Sequence, residues 1–136
     1  MSGPPRILIV EDEPLSAAAL RAPLVRKGYQ VDTANNGDEA LDLLRTTTPD
    51  LIILDVMMPG MNGFEVCRRV RQDPRNSGVR VVFMTAKAGA EDIVRGRKAG
   101  SDMYLVKPVL PARLLGLVEM LLSREPPASP PRNRHR

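Results

Sequence analysis

The sequence predicts an α/β fold built on a parallel sheet, and three observations carry that prediction. Residues 7–10 (ILIV), 51–54 (LIIL), 81–84 (VVFM) and 103–106 (MYLV) are short aliphatic runs, the pattern of strands buried on both faces. Strand-like and helix-like segments alternate five times, which is how parallel sheets with crossover helices read in sequence. Each of the four runs also ends in residues that can do chemistry: Glu11 and Asp12, Asp55, Thr85, and Lys107 followed by Pro108.

The elements follow in order. Residues 1–5 form a short flexible lead. After the first strand, Pro14 suits the first turn of a helix, with Asp12 or Glu13 near its N-cap. Leu15, Ala18, Ala19 and Val25 give that helix an apolar face, Pro23 should kink it or cost it a hydrogen bond, and Gly28 stops it. Residues 31–34 read as a weak strand at a sheet edge. Asn36-Gly37 is a turn, and a helix is expected over 39–45. After Asp55 comes a loop, residues 57–63 (MMPGMNG), then a helix marked by Phe64, Val66, Cys67 and Val70 that ends near Asp73-Pro74. Cys67 falls on its apolar side and reads as a small core residue. Residues 91–98 form a weak helix with Gly96 inside it, and Pro111 opens the last helix, which runs to about Leu122. Residues 124–136 are rich in Pro and Arg, have no apolar face, and are expected to be disordered.

If the strands are parallel, their C-terminal ends share one edge. Glu11, Asp12, Asp55, Thr85 and Lys107 then converge on a crevice of the kind where open α/β sheets bind ligands. An unpaired carboxylate at the end of a buried run is costly, so Asp55 needs a cationic partner. Lys107 and a metal ion supply one, and the set suits phosphate and magnesium.

Composition narrows the alternatives. The 136 residues, 43% hydrophobic and without Trp, make one globular domain with a Leu, Val, Ile, Met and Ala core. No apolar stretch approaches the length of a membrane span, and no signal peptide precedes the first strand. The single Cys67 fits a reducing cytoplasm. The net charge of +4 resides mostly in the tail: Arg124, Arg132, Arg134 and Arg136 against Glu125 leave only +1 elsewhere. A nearly neutral folded part has no basic face for direct nucleic-acid binding. His135, the only histidine, lies in that tail, which removes a Ser-His-Asp triad, a histidine base and an ordinary zinc site from the fold.

The acidic pair after the first strand, the run from Asp55 through Met57, Met58, Pro59 and Gly60 to Gly63, the Thr85-Ala86 pair and Lys107-Pro108 together resemble a bacterial two-component response-regulator receiver domain. The resemblance spans nearly the whole chain, with residues 6–123 as the receiver, and is nearest to a stand-alone, chemotaxis-type regulator. It implies a doubly wound (βα)5 flavodoxin-like fold with strand order 2-1-3-4-5. It implies that Asp55 takes a phosphoryl group from a histidine kinase or histidine phosphotransfer protein. By the same resemblance Glu11, Asp12, Asp55 and the Met57 carbonyl hold Mg²⁺. Lys107 steadies the phosphoryl oxygens, Thr85 is the switch hydroxyl, Tyr104 the aromatic switch, and Lys107-Pro108 a position that often carries a cis peptide. Conventional enzyme activity is not implied, only Mg-dependent self-phosphorylation and autodephosphorylation.

Rival readings are weaker. An aspartyl-phosphate hydrolase would carry a second Asp two residues after the nucleophile, where this chain has Met57. A degenerate receiver acting only as a binding module would lack key residues, and here all are present. A DNA-binding regulator would need an output domain, and only the Pro/Arg tail follows Leu122. An N-terminal receiver fragment of a larger regulator stays as the alternative reading. No P-loop or Gly-x-Gly-x-x-Gly motif supports a nucleotide site. On the last helix, Leu114, Leu115, Leu117, Val118, Leu121 and Leu122 span an arc of about 160°, against about 100° for an ordinary core stripe. The excess, with Met120 outside it beside Arg113, points to a protein partner or homodimer contact through the last two helices and last strand. Arg95, Arg97 and Lys98 of the preceding helix are expected as its charged rim.

Overall fold

A computed structural model of the chain describes residues 3–123. The tail expected to be disordered, 124–136, lies outside the described residues. The elements are β1 (Arg6–Val10), α1 (Pro14–Lys27), β2 (Gln30–Ala34), α2 (Gly37–Leu43), β3 (Leu51–Leu54), α3 (Gly63–Gln72), a 3-10 turn (Pro74–Asn76), β4 (Arg80–Thr85), α4 (Ala90–Ala99), β5 (Met103–Val106) and α5 (Pro111–Ser123). All strands are parallel, in the order β2-β1-β3-β4-β5, as the resemblance implied.

Side-chain alternation along the strands divides the core into two layers. Leu8, Val10, Ile52, Leu54, Val81 and Phe83 face α2, α3 and α4 through Ala40, Phe64, Cys67, Val70 and Ala99. Ile7, Ile9, Leu51, Ile53, Val82 and Met84 face α1 and α5 through Leu24, Leu114, Val118 and Leu121. Strands buried on both faces are why these runs are continuously apolar rather than alternating. Cys67 is fully buried, as expected of a small core residue.

Helix α1 corrects the sequence reading. Leu15 is 79% exposed, Val25 is 41% exposed, and Ala18 and Ala19 are exposed too. The buried face is Ala17, Pro23 and Leu24, with Leu20 packed against the same layer. The helix is apolar nearly all round, so periodicity could not select a face; contact with the sheet did. Its start is set by the Glu13 carboxylate, which accepts hydrogen bonds from the Leu15 and Ser16 amides. The helix continues through Pro23, which lacks an N–H to donate to the preceding turn.

Helix α2 begins and ends two residues earlier than expected. The Asn36 side chain accepts from the Glu39 amide at 2.8 Å and starts the helix at Gly37. The Thr47 hydroxyl donates to the Leu43 carbonyl at 2.9 Å, satisfying the end before Arg45. No helix among the described residues is long and apolar enough to cross a membrane.

The surface expected at the end of the chain also changes. Helices α4 and α5 lie on opposite faces of the sheet, with the β5 edge between them. Arg95 is not a rim for α5: its guanidinium sits 4.4 Å over the Phe64 ring, toward α3. That stacking is a cation–π contact which sequence spacing along α4 alone does not reveal. On α5, Leu114, Val118 and Leu121 are buried, Leu115, Leu117 and Leu122 are half-buried, and Met120 is exposed.

Candidate functional site

The parallel ladder positions the site by carrying its hydrogen bonds past the strand ends. The Asp55 amide donates to the Val10 carbonyl at 3.1 Å, and the Lys107 amide to the Thr85 carbonyl at 2.8 Å. The residues following β1 and β3 are therefore held side by side, and Lys107 stands beyond β4 on the same C-terminal edge. The Lys107–Pro108 peptide is cis. Gly63 lets α3 start directly against this edge: its amide donates to the Val56 carbonyl at 3.1 Å, and a Cβ there would overlap the Asp55 carbonyl.

Glu11, Asp12 and Asp55 each offer a carboxylate oxygen, and the three lie within 4.8 Å of one another. Glu11 and Asp55 are buried, whereas Asp12 is exposed. The Lys107 ammonium donates to Glu11 Oε1 at 2.8 Å and to Asp55 Oδ2 at 3.3 Å. Burial by itself would lower the Lys107 pKa. The Glu11 hydrogen bond and the charges of Asp55 and Glu11 outweigh it and leave the ammonium above its ordinary value. Lys107 is thus a fixed cation bridging two nearly desolvated carboxylates. The Asp55 Oδ1 atom accepts from the Met57 amide at 3.0 Å, and the Glu11 Oε2 atom from the Glu13 amide at 3.2 Å. Three hard oxygen donors converging beside one ammonium suit a small divalent cation.

Thr85 stands at the end of β4, fully buried, with its hydroxyl accepting from the Lys87 amide at 3.3 Å. Tyr104 lies one strand over. Its ring packs on Phe83 at 5.7 Å, and its hydroxyl donates to the Lys87 carbonyl at 2.8 Å. Burial raises the Tyr104 pKa, and the charges of Asp92 and Asp55 add to the shift, so the phenol stays protonated as a donor. Gly96 makes room for this ring, since a Cβ there would come within 2.8 Å of Tyr104 Cδ2. Met57 is 54% exposed at the rim.

Glu11, Asp12, Asp55 and Lys107 are therefore brought together as the sequence predicted. Thr85 and Tyr104 are tied instead to the amide and the carbonyl of one residue, Lys87. Sequence reasoning missed two features. One is the Lys87 carbonyl as the Tyr104 acceptor, for which no residue-type signal exists because any backbone carbonyl can serve. The other is the open cavity of about 440 Å³ lined by Val56, Met57, Asn62, Phe64, Lys87 and Arg95, whose first two residues directly follow Asp55 in the chain. The arrangement provides a buried carboxylate with a cation beside it, and a buried hydroxyl at the end of β4.

Comparison with known proteins agrees with this geometry. The response regulator receiver domain family matches residues 7–119. The chain is 42% identical over 123 residues to the phosphate regulon transcriptional regulatory protein PhoB of Rhizobium meliloti, covering 90% of this chain and 54% of that protein. It is 46% identical over 105 residues to the transcriptional regulatory protein AfsQ1 of Streptomyces coelicolor, covering 77% of this chain and 45% of that one. The chain thus spans about half the length of the curated relatives it matches. The crystal structure of a putative response regulator from Chloroflexus aurantiacus superposes with a TM-score of 0.84 at 36% identity, covering 89% of this chain and 99% of that one. The sheet order, the edge where carboxylates and lysine meet, and these likenesses place the chain in the response-regulator receiver domain family.

Proposed function

We propose that residues 6–123 act as a phospho-accepting switch in which Asp55 is the acceptor. The observation that carries this reading is the Lys107 ammonium held between Glu11 and Asp55 where three carboxylates converge. An Asp55 oxygen forms the new O–P bond while the P–N bond of a phosphohistidine on a histidine kinase or phosphotransfer protein breaks, the electron pair leaving with the imidazole. Lys107 is placed to neutralise the oxygens of the transferred group, so its contribution is electrostatic and positional. Glu11, Asp12, Asp55 and the Met57 carbonyl are the groups that would hold Mg²⁺. When bound, the ion supplies charge neutralisation at the acceptor and is required for labelling and for autodephosphorylation.

Transmission runs through Thr85 and Tyr104. Drawing the Thr85 hydroxyl toward the modified Asp55 takes it from the Lys87 amide, and the Lys87 carbonyl is what holds the Tyr104 hydroxyl. The two conformations pre-exist and phosphorylation shifts their populations. The output is a protein contact, with a partner or a second copy, across the β5 edge and its flanking helices, without direct nucleic-acid binding by the receiver and in the cytoplasm.

The decisive experiment is intact mass after incubation with acetyl phosphate. Wild type gains one phosphoryl group with Mg²⁺ and none with EDTA, and Asp55→Asn gains none. Equal labelling of Asp55→Asn removes the assignment. A stand-alone, chemotaxis-type switch is the form proposed. The length of the curated relatives, which are transcriptional regulators by name, favours a second form, a receiver joined to an output domain. Sequencing the coding region beyond codon 136 separates the two.

A further inference from the structure

We propose that Met57 is a methionine oxidation site whose sulfoxide shortens the lifetime of the phosphoryl group on Asp55. This inference rests on the Asp55 reading above. Its starting point is accessibility. Met57 is 54% exposed, whereas Met58 and Met84 are 8% and 2% exposed, and Met61 and Met103 pack against the core. Only Met120, at 41% and remote in the fold on α5, comes near it among the described methionines. Oxidation of thioethers follows exposure, so among the described methionines Met57 is the first to react.

The second observation is place. The Met57 amide is bonded to the acceptor carboxylate itself, at 3.0 Å from Asp55 Oδ1. Its side chain borders the cavity that also holds Asn62, Lys87 and Arg95. A thioether is at best a weak acceptor and cannot orient an attacking water. A sulfoxide oxygen is a strong one. The Asn62 amide, the Lys87 ammonium, which also lies 3.7 Å from Asp92, and Arg95, stacked on Phe64, border the same cavity and offer that oxygen donors.

The chemistry balances with a peroxide as the named oxidant. The sulfur lone pair attacks one peroxide oxygen, an S–O bond forms, the O–O bond breaks, and the second oxygen leaves as water after proton transfer. Sulfur loses two electrons and hydrogen peroxide gains them. A thiol-dependent sulfoxide reductase reverses the change.

The test uses the whole chain treated with hydrogen peroxide, peptide mass mapping of oxygen uptake, and inorganic phosphate release from protein labelled with acetyl phosphate and Mg²⁺. Oxygen should appear on Met57 before Met120. Phosphate release should quicken roughly three- to tenfold, the effect of about one added hydrogen bond in the transition state. Met120→Leu should keep the response to peroxide, Met57→Leu should lose it, and Met57→Gln should release phosphate faster than Met57→Leu without peroxide. Sulfoxide reductase should restore the original rate in wild type. Equal acceleration in peroxide-treated Met57→Leu, or unchanged release from wild type oxidised at Met57, overturns the inference alone. Failure of unoxidised wild type to label at all overturns the Asp55 reading and this inference with it.

Discussion

Lys107→Met isolates the charge at the centre of the site, because methionine keeps the apolar stem and removes only the ammonium. The two carboxylates it leaves are nearly out of solvent, Glu11 at 3% and Asp55 at 7% exposure. Removing one partner of a buried ion pair costs about 3–5 kcal/mol. The Lys107 side chain is itself 27% exposed, so water already screens part of the interaction. An expected loss of about 2 kcal/mol follows. The assay is urea unfolding of wild type and variant, once in EDTA and once in saturating MgCl₂. A bound divalent cation takes over the neutralisation, so the gap should fall below about 1 kcal/mol with Mg²⁺, and the ion should stabilise the variant more than wild type. The pH dependence has a definite sign. A lysine whose folded pKa lies above its ordinary 10.5 contributes fully below that value and loses its contribution as pH rises through the folded pKa. The gap in EDTA should therefore be flat through neutral pH and close only above 10.5. A gap absent in EDTA, or equal with and without Mg²⁺, would refute this account of the site.

Thr85→Ala should still take a phosphoryl group on Asp55 but pass the signal on poorly, because only the hydroxyl is lost; partner binding by a labelled variant at wild-type strength would remove Thr85 from the switch. Met120→Asp should weaken self-association or partner binding in sedimentation while Asp55 labelling stays intact, since Met120 is exposed on α5 and outside the buried face. Arg95→Glu should instead act through Phe64, costing about 0.5–1 kcal/mol of stability with the loss of the stacked guanidinium, read by urea unfolding. Burial pushes the Cys67 thiol up to about 11 from 9.0. The folded state then holds its proton more tightly, so stability is retained below pH 9.0 and about 3 kcal/mol is lost on going through 11; Cys67→Ala should lack that alkaline slope.

The sheet and the set of polar residues along its edge were legible in residue order alone. Residues 7–10, 51–54 and 81–84 are continuously apolar because β1, β3 and β4 are buried on both faces. Residues 103–106 read the same way, but β5 is an edge strand with only Leu105 buried. Once the strands are parallel, the residues ending all four share one edge. Glu11, Asp12, Asp55 and Lys107 were legible for that reason, with the five-strand order supplied by family resemblance. Tertiary structure decided whatever depends on which of several equivalent surfaces meets a neighbour. Helix α1 is apolar nearly all round, so only contact with the sheet chose Ala17 and Leu24 over Leu15 and Val25. Arg95 stacks on Phe64 toward α3, because α4 and α5 lie on opposite faces of the sheet, a placement that spacing along α4 does not reveal. The Lys87 backbone joins Thr85 to Tyr104 because a backbone amide and carbonyl carry no residue signature, and only the fold brings them within hydrogen-bonding distance.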